Sequence, residues 1–236
     1  MNVLVMLIAA LLPAALLSLY ILRKDAQPEP TNWLAKAFFY GVGICIPVAL
    51  LELAIEATLF GGAEASLVGV TLQSFFVAAL PEEGFKLLAL WLVLRKNPYF
   101  DEHFDGIVYA VCVGLGFASI ENVGYVLSAD EWLSVSLARA FLAVPGHYAF
   151  GVLMGYYYSV YHFVDRSPRT RAYILLVPVV AHGIYDSIAF SSALSPVLAG
   201  VSSLLLILFC VRMHNFANRK IVAQLMRDAQ EVEEMA

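Results

Sequence analysis

Long apolar runs separated by short polar connections make up almost the whole chain. A helix needs about 20 apolar residues to cross a bilayer, and runs that meet this length lie at about 2–22, 34–60, 67–94, 104–127, 134–162, 172–191 and 196–214. None of the connections is long enough to hold a separate domain. The pattern therefore predicts an all-α, polytopic membrane helix bundle of about seven transmembrane helices, folded as one membrane-embedded domain over residues 1–236.

The composition points to the same class of protein. Hydrophobic residues make up 61% of the chain and charged residues only 14%, whereas charged residues are about a quarter of a typical soluble domain. The mean hydropathy is +0.78. An ordinary soluble protein is therefore excluded, and we expect the lipid bilayer, and no nucleic acid, among the partners of this protein.

The basic residues predict the orientation of the bundle. If the seven spans alternate in direction, all but two of the 14 Lys and Arg residues lie on the side that also carries the C-terminus, and the two exceptions, Lys86 and Arg139, lie inside spans. Lys and Arg are enriched in cytoplasmic loops. The N-terminus is therefore predicted to be outside and the C-terminus cytoplasmic, with a short polar helix in a cytoplasmic tail at 215–236.

The third predicted span carries the charges that are most costly to place in a membrane. Its middle reads Pro81-Glu82-Glu83-Gly84-Phe85-Lys86, and charges at this depth are unfavourable unless they face a protein interior, water or a partner. Lys86 follows the two glutamates by four and three residues, so it can pair with either. Pro81 and Gly84 are expected to distort the helix locally. We interpret this stretch as a candidate functional site in which Lys86 is a structural counter-charge.

Three further spans carry polar groups at a similar depth. Glu121 and Asn122 lie in the outer half of the fourth span, His147 lies in the fifth, and His182 and Asp186 share one face of the sixth at a spacing of four residues. Separate charges in lipid are unfavourable, whereas a shared water-filled chamber satisfies all of them. We therefore predict one polar chamber that opens toward the outer face.

Two other features of these spans concern packing and helix ends. Asp105, at the start of the fourth span, is expected to cap that helix. Small residues allow helices to approach closely in a membrane, and the fourth and fifth spans carry glycines at Gly114, Gly116, Gly124, Gly151 and Gly155.

The polar side chains can activate water in two ways. Without a metal, one buried glutamate acts as the general base while His, Asn or Asp donors stabilise the oxyanion. With a divalent metal such as zinc, histidines and a glutamate are the ligands and the remaining glutamate is the base. The chain has no His-Glu-x-x-His helix, so the ligands would come from separate spans, drawn from Glu83, Glu121, His147 and His182.

Four separated motifs stand in spans three to six. They are Pro81-Glu82-Glu83-Gly84-Phe85-Lys86, Phe104-Asp105-Gly106 with Gly116-Phe117-Ala118-Ser119-Ile120-Glu121-Asn122, His147-Tyr148-Ala149-Phe150-Gly151, and His182-Gly183-Ile184-Tyr185-Asp186. In this order they resemble the signature motifs of the PrsW family of bacterial intramembrane proteases, a distant relative of the CAAX prenyl endopeptidases. The motif core covers about residues 67–191.

The resemblance implies an intramembrane endopeptidase of the bacterial cytoplasmic membrane. The best-known role of the family is the first cleavage of membrane-bound anti-sigma factors, which implies a single-span membrane protein as the substrate. In the CAAX relatives a histidine stands in place of Glu121 and an asparagine in place of Asp186, and these departures leave both the metal-free and the metal mechanism open. The implied catalytic residues are Glu82, Glu83, Glu121, His147, His182 and Asp186, supported by Lys86 and Asn122.

Two other classes of function stay open at this point. A non-catalytic scaffold or receptor-like subunit would keep the polar chamber for packing or for holding a partner. An ion-coupled transporter would use the buried Glu, Lys and His side chains to relay protons. The presence of every acid and histidine of the four motifs favours the protease.

Overall fold

The computed structural model describes residues 2–61 and 66–235, and all regular secondary structure in this part of the chain is helical. Six of the described helices are long and apolar enough to cross a membrane. The helix at 67–94 contains the charged motif and covers the remaining predicted span, so the predicted helical membrane bundle is confirmed. In chain order the continuous helices are α1 Val3–Leu22, α2 Thr31–Phe60, α3 67–94, α4 Asp105–Ser128, α5 Trp132–Val164, α6 Pro168–Ser191 and α7 Pro196–Met235.

Polar side chains begin three of these helices. The side chain of Asn2 accepts a hydrogen bond from the backbone N–H of Leu4, the Ser66 hydroxyl accepts one from Gly69, and the Ser167 hydroxyl accepts one from Thr170. The first N–H groups of a helix have no acceptor within the helix, and a side-chain oxygen just before the first turn supplies one. These caps fix where α1, α3 and α6 begin.

The expectation that Asp105 caps α4 is wrong. Asp105 is the first residue of α4, and its Oδ2 accepts hydrogen bonds from the backbone N–H groups of residues 101 and 102, at 3.1 and 2.8 Å, in the preceding loop. The backbone N–H groups of residues 103 and 104 instead donate to the carboxylate of Asp228 in α7, at 2.7 and 2.9 Å. Because the helix begins at Asp105 itself, its side chain reaches back to the loop rather than forward to the first turn.

The central helix of the bundle is α4. Of its most apolar 18-residue stretch 83% is buried, against 22% in α1 and 11% in α2, whose outer faces are exposed. Glycines permit this burial, because a Cβ atom on Gly116 would lie 2.1 Å from the carbonyl oxygen of Phe38 in α2, and one on Gly155 would lie 2.2 Å from that of Gly106 in α4. Gly124 has no atom within 4 Å of such a Cβ, so it is not a packing position.

Helices α3 and α5 each contain a π-helical turn just before a proline. The turn Ser74–Ala79 precedes Pro81 and the turn Arg139–Ala143 precedes Pro145. Proline lacks a backbone N–H and clashes with the preceding turn of an α-helix, and a wider π turn relieves both problems. The predicted distortion near Pro81 is therefore present, on the N-terminal side of the charged motif.

Helix α7 continues without a break through the predicted tail. Ile221 and Gln224, which lie beyond the last predicted span, are 1% and 0% exposed, and Asp228 binds the start of α4 as described above. The tail segment therefore packs against the same end of the bundle that carries the loops before α2 and α4.

We expect Gly155→Ala to destabilise the protein, because the new methyl group would meet the Gly106 carbonyl and overpacking costs about 1–3 kcal/mol. The matched control is Gly124→Ala, which adds a methyl group in open space and improves helix propensity. Thermal unfolding in detergent would measure both. A Gly155→Ala protein as stable as the control would show that α4 and α5 do not pack in this way.

Candidate active site

Lys86 lies at the centre of a buried polar cluster. Its ammonium nitrogen is 2.9 Å from Glu82 Oε2, 2.8 Å from Glu83 Oε1 and 3.1 Å from His147 Nδ1. An ammonium has three N–H donors, so each donor has one acceptor. Lys86 is 3% exposed and Glu83 is 0% exposed, and charges buried to this degree are tolerated only when they are paired.

His147 connects this cluster to Glu121. Its Nδ1 faces Lys86, a group that can only donate, and its Nε2 lies 2.9 Å from Glu121 Oε2, a group that only accepts when it is ionised. The hydrogen-bond network therefore assigns the neutral imidazole with its hydrogen on Nε2. Arg139 donates to the same Glu121 oxygen at 2.6 Å, so Glu121 holds the ring of His147 in place from the far side.

His182 lies between two carboxylates. Its Nδ1 is 3.0 Å from Glu83 Oε1, and its Nε2 is 3.3 Å from Asp186 Oδ2, one turn further along α6. The ring stacks on Phe150 with 4.6 Å between ring centroids. Glu83 Oε1 thus accepts from both Lys86 and His182, which fixes the position of α3 relative to α6.

Arg139 and Asn122 support the site from the side of α1. Arg139 Nε donates to Asn122 Oδ1 at 2.6 Å, and Asn122 Nδ2 donates to the carbonyl oxygen of Ala10 at 2.6 Å. Both ends of the Asn122 amide are therefore occupied, so it is a structural partner and not a free donor for substrate. From sequence, Arg139 was predicted to lie inside a span but not to belong to the site. The sequence feature that could have identified Arg139 is the one that identified Lys86, namely a basic residue within an apolar run.

A cavity of about 570 Å³ borders the cluster. Glu82 forms part of its wall, whereas Glu83 and Lys86 lie behind that wall. Adjacent residues on a helix point about 100° apart, which explains why two neighbouring glutamates have different surroundings. The acidic and histidine side chains that line the cavity are Glu52, Glu82, Glu121, His147, His182 and Asp186.

Glu52 also belongs to the site, although it was not predicted from the sequence. It lies in α2, lines the cavity, and its Oε1 is buried without a hydrogen-bond partner among the described residues. Glu52 is an acidic residue inside an apolar run, which could have marked it as a candidate, but it belongs to none of the four motifs. Its position adds a fourth helix with an acidic side chain to the wall of the cavity.

Three side chains of the cluster form a possible donor set for a divalent ion. Ligand atoms of Glu82, Glu83 and His147 lie within 4.8 Å of one another, and two carboxylates with an imidazole form a suitable set for zinc. The Lys86 ammonium, however, is hydrogen-bonded to these same three side chains. The residues therefore fit a metal as donors, and an ion can occupy this position only when Lys86 moves away. Glu121 and His182 lie one contact further out.

Comparisons with known proteins identify relatives of the whole motif-bearing segment. The sequence profile described as PrsW family intramembrane metalloprotease matches residues 29–213. Among proteins named Protease PrsW, that of Clostridioides difficile is 38% identical over 186 residues, covering 76% of each chain. That of Bacillus subtilis is 34% identical over 176 residues, covering 74% of this chain and 77% of the relative. No solved structure matches the chain at a significant level.

We expect Lys86→Met to bind Zn²⁺ at least tenfold more tightly than the wild type, because the substitution removes the cation that competes for the three donors. Competition with a chelating dye in detergent would measure the affinity. The matched control is Lys96→Met, at an exposed position of the loop after α3, which should bind like the wild type. Equal affinities in all three proteins would show that the ion and Lys86 do not share ligands.

Proposed function

Because the chain belongs to the PrsW family of intramembrane metalloproteases, we propose that it hydrolyses a peptide bond of a membrane-anchored protein with Glu82 as the general base on water. That it is an integral membrane protein and an intramembrane protease follows from this membership and from its apolar helices. The assignment of the base is supported by one observation above all. Of the two neighbouring glutamates, Glu82 borders the cavity and Glu83 does not.

In this mechanism Lys86 is the counter-charge of Glu82 and orients its carboxylate. The ammonium binds Glu82 Oε2, so the other carboxylate oxygen is left for a water molecule in the cavity. Glu82 removes a proton from this water as it attacks the scissile carbonyl carbon. The same carboxyl then gives the proton to the nitrogen of the leaving group, which breaks the peptide bond and returns Glu82 to its starting state.

The two histidines are proposed to have different tasks. The His182 ring lines the cavity. Its Nδ1 binds Glu83 at 3.0 Å, whereas its Nε2 has only a 3.3 Å contact with Asp186, so the Nε2–H group can donate a hydrogen bond to the oxygen that becomes negative during the attack. His147 is held by Lys86 and Glu121 on its two nitrogens. We therefore assign it a positioning role in this state of the site, with Glu121 acting through it.

If a divalent ion were held by Glu82, Glu83 and His147, it would supply Lewis-acid polarisation of the scissile carbonyl and help to deprotonate water, the task that Glu82 has when no ion is bound. In that state Lys86 would leave the three side chains. Glu121 would still fix the ring of His147 through Nε2, which would leave Nδ1 as the ligand atom. Hydrogen bonds of this kind to a histidine ligand are a common way to orient it.

We further propose that the substrate is a single-span membrane protein and that the reaction is a site-1-type cleavage of an anti-sigma factor. The mostly apolar walls of the cavity suit a membrane-spanning segment, and the acidic and histidine side chains of the wall supply the polar groups for catalysis. The anti-sigma substrate rests on the family resemblance. The predicted orientation places the cleaved bond toward the outer face.

We expect Glu82→Gln to lower the rate of cleavage by about 10²–10⁴-fold, the usual contribution of a general base. The measurement is cleavage of a single-span anti-sigma factor reconstituted with the protease in lipid vesicles. Glu56→Gln is the matched control, because Glu56 lies one turn further along α2, binds Gln73 and is not part of the cavity wall. Its rate should stay within twofold of the wild type.

Formate distinguishes the two glutamates. We expect formate to raise the cleavage rate of Glu82→Ala at least tenfold, because the missing carboxylate faces a cavity that a small anion can enter. Glu83→Ala should stay inactive in formate. Rescue of Glu83→Ala alone would assign the base to Glu83 and contradict the proposed roles.

A further inference from the structure

A second group of acidic side chains lies at the opposite end of the bundle from the cavity, at the end predicted to face the cytoplasm. It joins the connection before α2 to the loop and first turn of α4. Carboxylate oxygens of Glu29, Asp101 and Asp105 lie within 4.8 Å of one another. Glu29 and Asp105 are buried, and Asp101 is exposed, so the group is open to water on one side.

Asp105 has an oxygen that nothing in the described part of the chain satisfies. Its Oδ2 accepts from the two backbone N–H groups of the preceding loop, but its Oδ1 is buried without a partner, and the residue is 0% exposed. A buried acceptor without a hydrogen-bond partner is unfavourable, and more so when it is charged. An acceptor without a partner, on a side chain that lies next to two other carboxylates, calls for a cation.

No basic side chain fills this role among the described residues. In the described part of the chain, the Lys and Arg side chains that form ion pairs are Lys86 and Arg139, and both lie in the active site. The hydroxyl of Tyr109 donates to Glu29, which leaves the charge of the group unchanged. Glu102 adds a further carboxylate to the same loop, and the side-chain amide of Gln27 donates a hydrogen bond to it.

We propose that Glu29, Asp101 and Asp105 bind a hard divalent cation of the Mg²⁺ and Ca²⁺ class. Such ions prefer oxygen ligands, usually with one or more carboxylates, and complete their coordination with water, which the exposed side of Asp101 admits. The cation ties the connection between α1 and α2 to the start of α4. This site is separate from the active site and does not depend on the function proposed above.

The test uses the purified full-length protein in detergent with Mn²⁺ as the probe and electron paramagnetic resonance as the readout of free Mn²⁺. We expect the wild type to bind Mn²⁺ with half-saturation at or below about 1 mM, and Mg²⁺ or Ca²⁺ to displace it. Asp105→Asn should weaken binding at least tenfold. It keeps the shape of the side chain and an oxygen for the loop N–H groups.

Two controls locate the ion. Glu102→Gln removes the same charge from the same loop but lies outside the trio, and it should weaken binding less than threefold. Glu82→Gln should leave this binding unchanged, which separates it from any ion in the active site. If Asp105→Asn does not fold, Asp101→Asn decides, because its exposed side chain leaves the core intact. It should weaken binding at least threefold.

Two results would overturn the proposal. Wild-type protein that binds no Mn²⁺, Mg²⁺ or Ca²⁺ would show that the trio holds no cation, and would favour a proton shared by Glu29 and Asp105. Binding that is lost in Glu82→Gln but kept in both Asp105→Asn and Asp101→Asn would place the ion in the active site.

Discussion

The ammonium of Lys86 holds together groups from three different parts of the fold. It binds both glutamates of α3 and the imidazole of α5, and through Glu83 it is joined to His182 of α6. A buried charge is tolerated only when it is paired, so the helices that carry the acids must meet the helix that carries the histidine. The same need for pairing then fixes the tautomer of His147.

The rest of the bundle makes this meeting possible. Glycines let the backbone of α4 pack directly against the backbones of α2 and α5. This close packing brings Glu121 within hydrogen-bond distance of His147. The π turn before Pro81 adapts α3 to a residue that cannot donate a backbone hydrogen bond. Arg139 extends the network through Asn122 to a backbone carbonyl of α1. The active site is thus a set of contacts between helices rather than a feature of one helix.

The helical membrane bundle and the set of polar residues that meet in it were predictable from sequence, because apolar runs of membrane length and charges inside them are both visible along the chain. The different surroundings of Glu82 and Glu83 were not, since they depend on the rotation of α3 against its neighbours. Glu52 and Arg139 belong to the site only because helices distant in sequence pack there. Asp105 was misassigned because α4 begins at this residue itself, one residue earlier than a cap at this position would require.

A double-mutant cycle between Lys86→Met and Glu83→Gln tests the central ion pair most directly, with the free energy of unfolding of the four proteins as the measurement. Lys86→Met alone leaves two buried carboxylates without their cation, and removing a partner from a buried pair costs about 3–5 kcal/mol. Glu83→Gln relieves part of that cost, so the double variant should be more stable than the sum of the single changes predicts, by about 1–3 kcal/mol. Additive effects, within about 0.5 kcal/mol, would contradict a contact between the two side chains.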